Sequence, residues 1–129
     1  MNGTRHHGVS PFEEKYGFAR AVRVGERVEI AGTAPVPPVG GSLASGPFAQ
    51  MMRCGEIAIE GLVALGGSAS DVVRTRMFII NADDADEIGR AHKALFGASE
   101  PASTMVVVAG LLDPKWLVEI EVEAIVNHQ

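Results

Sequence analysis

The sequence predicts a single α+β domain with helices layered on a sheet, and three observations carry that prediction. Short runs with a two-residue apolar period flank longer runs with a helical period. The runs follow the order strand, strand, helix, strand, helix, strand, strand, with no repeat at a fixed spacing. The chain has 129 residues, the length of one domain of ordinary size.

In residues 18–24 the apolar Phe18, Val22 and Val24 share one parity with Arg20, while Ala19, Ala21 and Arg23 take the other, as in a strand. Gly25-Glu26 separates this run from a second at residues 27–31, and a two-residue connection led by glycine marks a type II′ hairpin. Residues 32–46 hold Pro35, Pro37, Pro38, Gly40 and Gly41 and are expected to form a long loop. Loops of that length are often functional. Pro47 suits the first position of a helix whose apolar stripe includes Met51, Met52, Ala58, Ile59 and Leu62, opposite Arg53, Glu56 and Glu60. Gly66-Gly67 ends it. Gly55 and Gly61 inside that helix each cost roughly 1 kcal/mol against alanine, so they are expected to mark a close approach to the sheet.

Residues 74–80 are β-branched and aromatic enough for a third strand. Asn81 caps a second helix, whose first turn collects Asp83, Asp84, Asp86 and Glu87 at the positive end of the helix dipole. Gly97 closes it, and Ala85, Ile88, Ala91 or His92, Leu95 and Phe96 form its buried stripe. Residues 105–109 are apolar at both parities, which predicts a strand covered on both faces, central in the sheet or at an interface. After a turn at 110–114, residues 117–126 alternate strictly, with Val118, Ile120, Val122, Ala124 and Val126 on one face and Glu119, Glu121 and Glu123 on the other.

Composition narrows the function classes. Apolar residues make up 47% of the chain, but the aromatics are only five Phe, one Trp and one Tyr, so the core must be aliphatic. A net charge of -5 disfavours nucleic acid and anionic membranes as partners, because phosphate binding calls for a basic footprint. The composition excludes disorder. Cys54 is the single cysteine, which excludes an internal disulfide, and no Cys-x-x-Cys or His-x-x-x-His spacing provides for a metal. Residues 1–10 contain no apolar signal core and no run is long enough to span a membrane, so a cytoplasmic location is expected.

Few residues stand out as chemical groups. Glu119, Glu121 and Glu123 lie about 7 Å apart along one strand face. Arg23, Arg27, Arg74 and Arg76 are cross-strand partners for such a row, which makes Glu121 and Glu123 members of a solvated, ion-paired face. Glu119, nearest the preceding turn, is the candidate general base. His6, His7 and His128 lie near the termini, and His92 is a packing residue or a base. Cys54 reads as a small buried hydrophobe. No serine sits in a Gly-x-Ser-x-Gly elbow, and Pro47-Phe48 replace the lysine and hydroxyl of a P-loop, so nucleotide binding is not supported.

Residues 18–25 (FARAVRVG), 28–32 (VEIAG), 66–80 with their Asp-Val-Val-Arg-Thr core, Pro101-Ala102 before a valine-rich strand, and 117–121 (LVEIE) resemble the reactive intermediate deaminase (Rid) family. That family is also described as L-PSP endoribonuclease-like, and the likeness spans roughly residues 16–126. It implies a chorismate-mutase-like homotrimer with a six-stranded mixed sheet, two helices on one face and a small-molecule cleft at each subunit interface. The sixth strand is then expected from the long loop. Residues 1–15 form an N-terminal segment and 16–129 the domain.

In active relatives an arginine directly after Pro-Ala grips a substrate carboxylate, and a glutamate of the last strand positions the water that hydrolyses an imine or enamine. Here Ser103 stands in place of that arginine, while Glu119 matches the glutamate and Gly32 the cleft glycine. Phe18 replaces a tyrosine, Gly89 an asparagine and Met105 a cysteine. The resemblance places Phe18, Gly32, Thr33, His92, Ser103, Thr104, Met105 and a lid residue, Trp116, around catalytic Glu119, with no metal and no organic cofactor. It implies hydrolysis of a small imine, enamine or related C–N substrate. A non-enzymatic small-molecule binder is the alternative. With the arginine absent, an anionic substrate is disfavoured unless another arginine, such as Arg20 or Arg76, takes its place.

Overall fold

The computed structural model describes residues 3–127; His128 lies outside them. The chain runs β1 (Thr4–His6), α1 (Phe12–Tyr16), β2 (Ala21–Val24), β3 (Arg27–Thr33), α2 (Pro47–Ala64), β4 (Val72–Ile79), α3 (Ala85–Phe96), β5 (Ala102–Val107) and β6 (Val118–Ile125). The six strands form one sheet in the order β1-β2-β3-β6-β4-β5. Neighbours are antiparallel except β4 and β5, which run parallel and are joined through α3.

Local chemistry accounts for the boundaries. The β2–β3 hairpin turns on Gly25, whose φ of 61° supplies the left-handed first position that a type II′ turn needs. Pro47 opens α2 without losing a helical hydrogen bond. The amides of Gly66 and Gly67 return to Val63 and Leu62 to close it. The Asn81 side chain accepts from the Asp83 amide at 2.9 Å and starts the turn that leads into α3.

Two expectations change. The sixth strand comes from Thr4–His6, paired with β2, and not from the long loop, which at residues 34–46 holds no strand. Its prolines leave that loop too few backbone donors for a ladder. The valine-rich segment is the edge strand β5, beside β4 alone, and not a central one. Val106 and Val107 remain 40% and 56% exposed, so apolarity at both parities here records no second layer within the chain.

Helices α2 and α3 cover one face of the sheet. Met51, Cys54, Ala58 and Leu62 of α2 and Ile88, Ala91 and Phe96 of α3 meet Val28, Ile30, Met77, Ile79 and, from β6, Val118, Ile120, Val122 and Ala124. The glycines of α2 serve two contacts. Gly61 faces the sheet, where a Cβ would come into tight contact with Ala21 and Ile30. Gly55 faces the other helix, where Leu95 fills that space. Gly55→Ala is therefore expected to lower stability by about 1–2 kcal/mol in urea denaturation, overpacking outweighing the gain in helix propensity. In a Leu95→Ala background the same substitution should raise stability.

Candidate active site

The site begins at an irregularity in β3. Ile30 faces Val122 and Thr33 faces Ile120, so Ala31 and Gly32 together stand against the single residue between, Glu121. That extra residue is a β-bulge, a device that re-aims the chain next to functional sites. It brings Gly32 against the neighbouring Glu119, whose Oε2 occupies the volume where a Cβ of residue 32 would lie. The missing Cβ is what lets the Glu119 carboxylate approach this closely.

Beside this contact lies a cavity of about 80 Å3, several times the roughly 10–15 Å3 that one water needs. Phe18, Gly32, Thr33, Trp116 and Glu119 line it, five residues that the sequence placed in the site. Arg20 lines it too, although it is only 3% exposed. Its Nε donates to Glu13 Oε2 at 3.2 Å, and its Nη1 donates to the Gly32 carbonyl and, at 3.0 Å, to Thr33 Oγ1. The guanidinium lies 5.4 Å from the centre of the Phe18 ring. Glu13 is as buried as its partner and also accepts from the Gly8 amide and from His7 Nδ1.

The remaining wall comes from the N-terminal segment, which the sequence reading left outside the site. Phe12 and Tyr16, one turn apart on α1, stack with ring centres 5.6 Å apart, and Phe12 meets Trp116 edge-on at 6.2 Å. Gly17 ends α1 with a φ of 78°, and its amide returns to Glu13. Trp116 is thus a packed wall, 7% exposed, held by α1. The signal available in the sequence was the aromatic pair at i and i+4 followed by glycine, together with Arg20 on the apolar parity of its strand.

The other expected site residues form a separate cluster in this chain. His92 Nε2 and Thr75 Oγ1 lie 2.7 Å apart, and Thr75 Oγ1 donates to Ser103 Oγ at 2.8 Å. Thr104 accepts from Arg74, and Met105 packs against the core. Arg27 and Arg76 pair with Glu123 at 3.2 and 2.7 Å, and Arg76 approaches Glu121 at 3.8 Å, as expected of a solvated face. Arg23 instead donates to the Leu65 carbonyl at the end of α2, and Arg74 to Thr104.

Electrostatics separate these groups. Burial raises the Glu119 carboxyl above its usual range, with Glu121 adding to the effect and Arg20 opposing it. Glu123 moves the other way, chiefly through its hydrogen bond from Arg76. Burial pushes the Cys54 thiol far up and lowers His92. At neutral pH Cys54 is therefore a poor nucleophile and His92 a neutral ring. Among the described residues no three His, Cys, Asp or Glu side chains gather as a metal site. No helix there is long and apolar enough to cross a membrane.

A small cavity bordered by a half-buried carboxyl and a buried arginine has the form of a small-molecule site. The family profile described as Endoribonuclease L-PSP matches residues 10–126, and the chain belongs to that family. An uncharacterized protein of Streptomyces coelicolor is 41% identical over 118 residues, 89% of this chain and 86% of that one. The 2-iminobutanoate/2-iminopropanoate deaminase of Salmonella typhimurium is 32% identical over 111 residues, 84% of each. Among solved structures, a member of the YjgF/YER057c/UK114 family from Mycobacterium tuberculosis superposes with a TM-score of 0.84 at 35% identity, covering 95% of this chain and 98% of the other. The resemblance read from the sequence holds, and the fold is the chorismate-mutase-like two-layer arrangement.

Two outcomes follow from the geometry. The folded chain holds the Glu119 proton to higher pH than the unfolded chain does, so stability present below the ordinary carboxylate range is lost as pH rises through the raised value. Urea denaturation should show wild type losing stability relative to Glu119→Gln over that rise, and parallel curves would contradict the burial of this carboxyl. Gly32→Ala should leave the fold intact, because the crowded atom ends a flexible side chain, while displacing the Glu119 carboxylate. Carboxyl-carbon NMR should then find the Glu119 titration moved.

Proposed function

We propose that the protein is a Rid-like hydrolase acting on a small imine, enamine or related C–N substrate, with Glu119 as the group that activates water. The observation that carries this reading is the open carboxyl of Glu119. Among the described residues it makes no hydrogen bond or ion pair, and none of their buried side-chain oxygens lacks a partner, so its oxygens are accessible and the residue lines the cavity. A half-buried carboxyl held above its usual range is suited to exchanging a proton with a reacting molecule. In the reaction a water oxygen bonds to the imine carbon as Glu119 accepts a proton from it. The C=N π bond opens and that proton passes to nitrogen, giving a carbinolamine; its hydroxyl proton then moves to nitrogen as the C–N bond breaks, so ammonia leaves and a carbonyl product remains.

Relatives support the class: proteins from Salmonella typhimurium and Homo sapiens, 32% and 30% identical, bear the name 2-iminobutanoate/2-iminopropanoate deaminase. Specificity is altered in our reading, because Ser103 offers a short hydroxyl already held by Thr75 where the resemblance calls for an arginine. We read the assembly as a homotrimer in the cytoplasm. In it the exposed valine edge of β5 meets another subunit and carries Ser103 and Thr104, with His92 of α3, to that subunit's cavity. The endoribonuclease reading is disfavoured by the net charge of -5.

Ammonia release from freshly generated imines tests the proposal. Glu119→Ala and Glu119→Gln are each expected to lose about 100-fold or more of kcat/KM while remaining folded. Rates equal to wild type would remove Glu119 from the chemistry. Ligand-induced rises in Tm without turnover would favour a non-enzymatic binder.

A further inference from the structure

The cavity holds a second open group. Three of the five guanidinium N–H donors of Arg20 are engaged, by Glu13, the Gly32 carbonyl and Thr33, whereas Nη2 meets no partner among the described residues. Every fully buried side-chain nitrogen or oxygen there is paired, so Nη2 reaches open space, and the space Arg20 lines is the cavity. Arg20 and Glu119 border the same cavity without forming an ion pair with each other. A cationic donor and a carboxyl acceptor thus stand open to one small volume.

We infer that Arg20 is the specificity-determining residue of this cavity, its Nη2 donating to the carboxylate of a small organic acid whose reacting end meets Glu119. The inference rests on the hydrolase reading for the word reacting, and on geometry alone for the binding. Three contacts and the Phe18 ring hold the guanidinium plane, so the direction of Nη2 is set before a ligand arrives. An acid meeting Nη2 binds at one nitrogen, because the Nη1 donors are spent within the protein. Glu13 balances the guanidinium's charge, so the preference for an anion over a neutral carbonyl comes from the open charged donor itself. Arg20 meets Glu13 through a single nitrogen, and that carboxylate is shared with the Gly8 amide and His7. Charge-assisted hydrogen bonds are roughly twice as strong as neutral ones. The expectation that an anionic substrate is disfavoured made an exception for another arginine in place of the missing one, and in this inference Arg20 is that arginine.

Binding of 2-oxobutanoate and of its neutral amide to wild type, by NMR with 15N-labelled arginine, tests this without relying on turnover. The acid is expected to bind about tenfold tighter or more than the amide, and to shift the Arg20 Nη2 resonance. Arg20→Lys keeps a positive charge beside Glu13 while removing Nη2, and should abolish the preference. If that variant does not fold, the wild-type titration decides alone. Equal affinities, or acid binding that leaves the Nη2 resonance unmoved, would overturn the inference. A protein that binds the acid through Arg20 and never hydrolyses an imine would retain this inference and lose the hydrolase reading. One that turns over a neutral imine with Arg20 silent would do the reverse.

Discussion

Because β6 pairs with β3 along one edge and β4 along the other, its two-residue alternation sorts side chains for the whole sheet. Val118, Ile120, Val122 and Ala124 go beneath the helices and supply the middle of the core. Glu119, Glu121 and Glu123 go to the opposite side, where cross-strand arginines hold two of them. The same alternation fixes the place of Glu119, at the end of the row where the bulge in β3 loosens the ladder. A slip of one residue in β6 would bury three carboxylates and expose the core, so fold and site share one register.

A second constraint ties the N-terminal segment to that site. Glu13 and Arg20 are buried together, an arrangement that stabilises only when the lost hydration is replaced by well-formed hydrogen bonds. Glu13 meets that condition through Arg20, His7 and the Gly8 amide, and Arg20 through Glu13, Thr33 and Gly32. The pair joins α1 to the bulge, and the aromatic contacts of Phe12, Tyr16 and Trp116 close the remaining side. The bulge, the buried pair and the aromatic wall are therefore one assembly.

Apolar periodicity made most of the fold legible. The alternation of residues 117–126, the Gly25-Glu26 turn and the opening at Pro47 are local patterns, and each led to the element observed; Asn81 caps a 3-10 turn at Ala82–Asp84, and α3 itself starts one turn later than expected, behind Asp84. The edge position of β5 was not legible, because a valine run records that side chains avoid water and not which surface shields them. The bulge escaped notice because it is a difference in register between two strands about 90 residues apart. For the site, Glu119, Gly32, Thr33, Phe18 and Trp116 came together as the resemblance implied. Arg20 was named, with Arg76, as a substitute for the missing arginine, but its direction depends on Glu13 and Thr33, which no spacing rule connects to it.

A cavity walled partly by its own N-terminal segment has a thermodynamic consequence. Docking residues 8–16 fixes backbone that would otherwise be free, at about 1–2 kcal/mol of entropy per residue, and the contacts made by Glu13, Phe12 and Tyr16 offset that loss. Any molecule that fills the cavity adds contacts available only to the docked form. Occupancy and docking are then linked, each strengthening the other by the same factor. A small molecule that occupied the cavity would therefore raise the protection of α1 from hydrogen exchange.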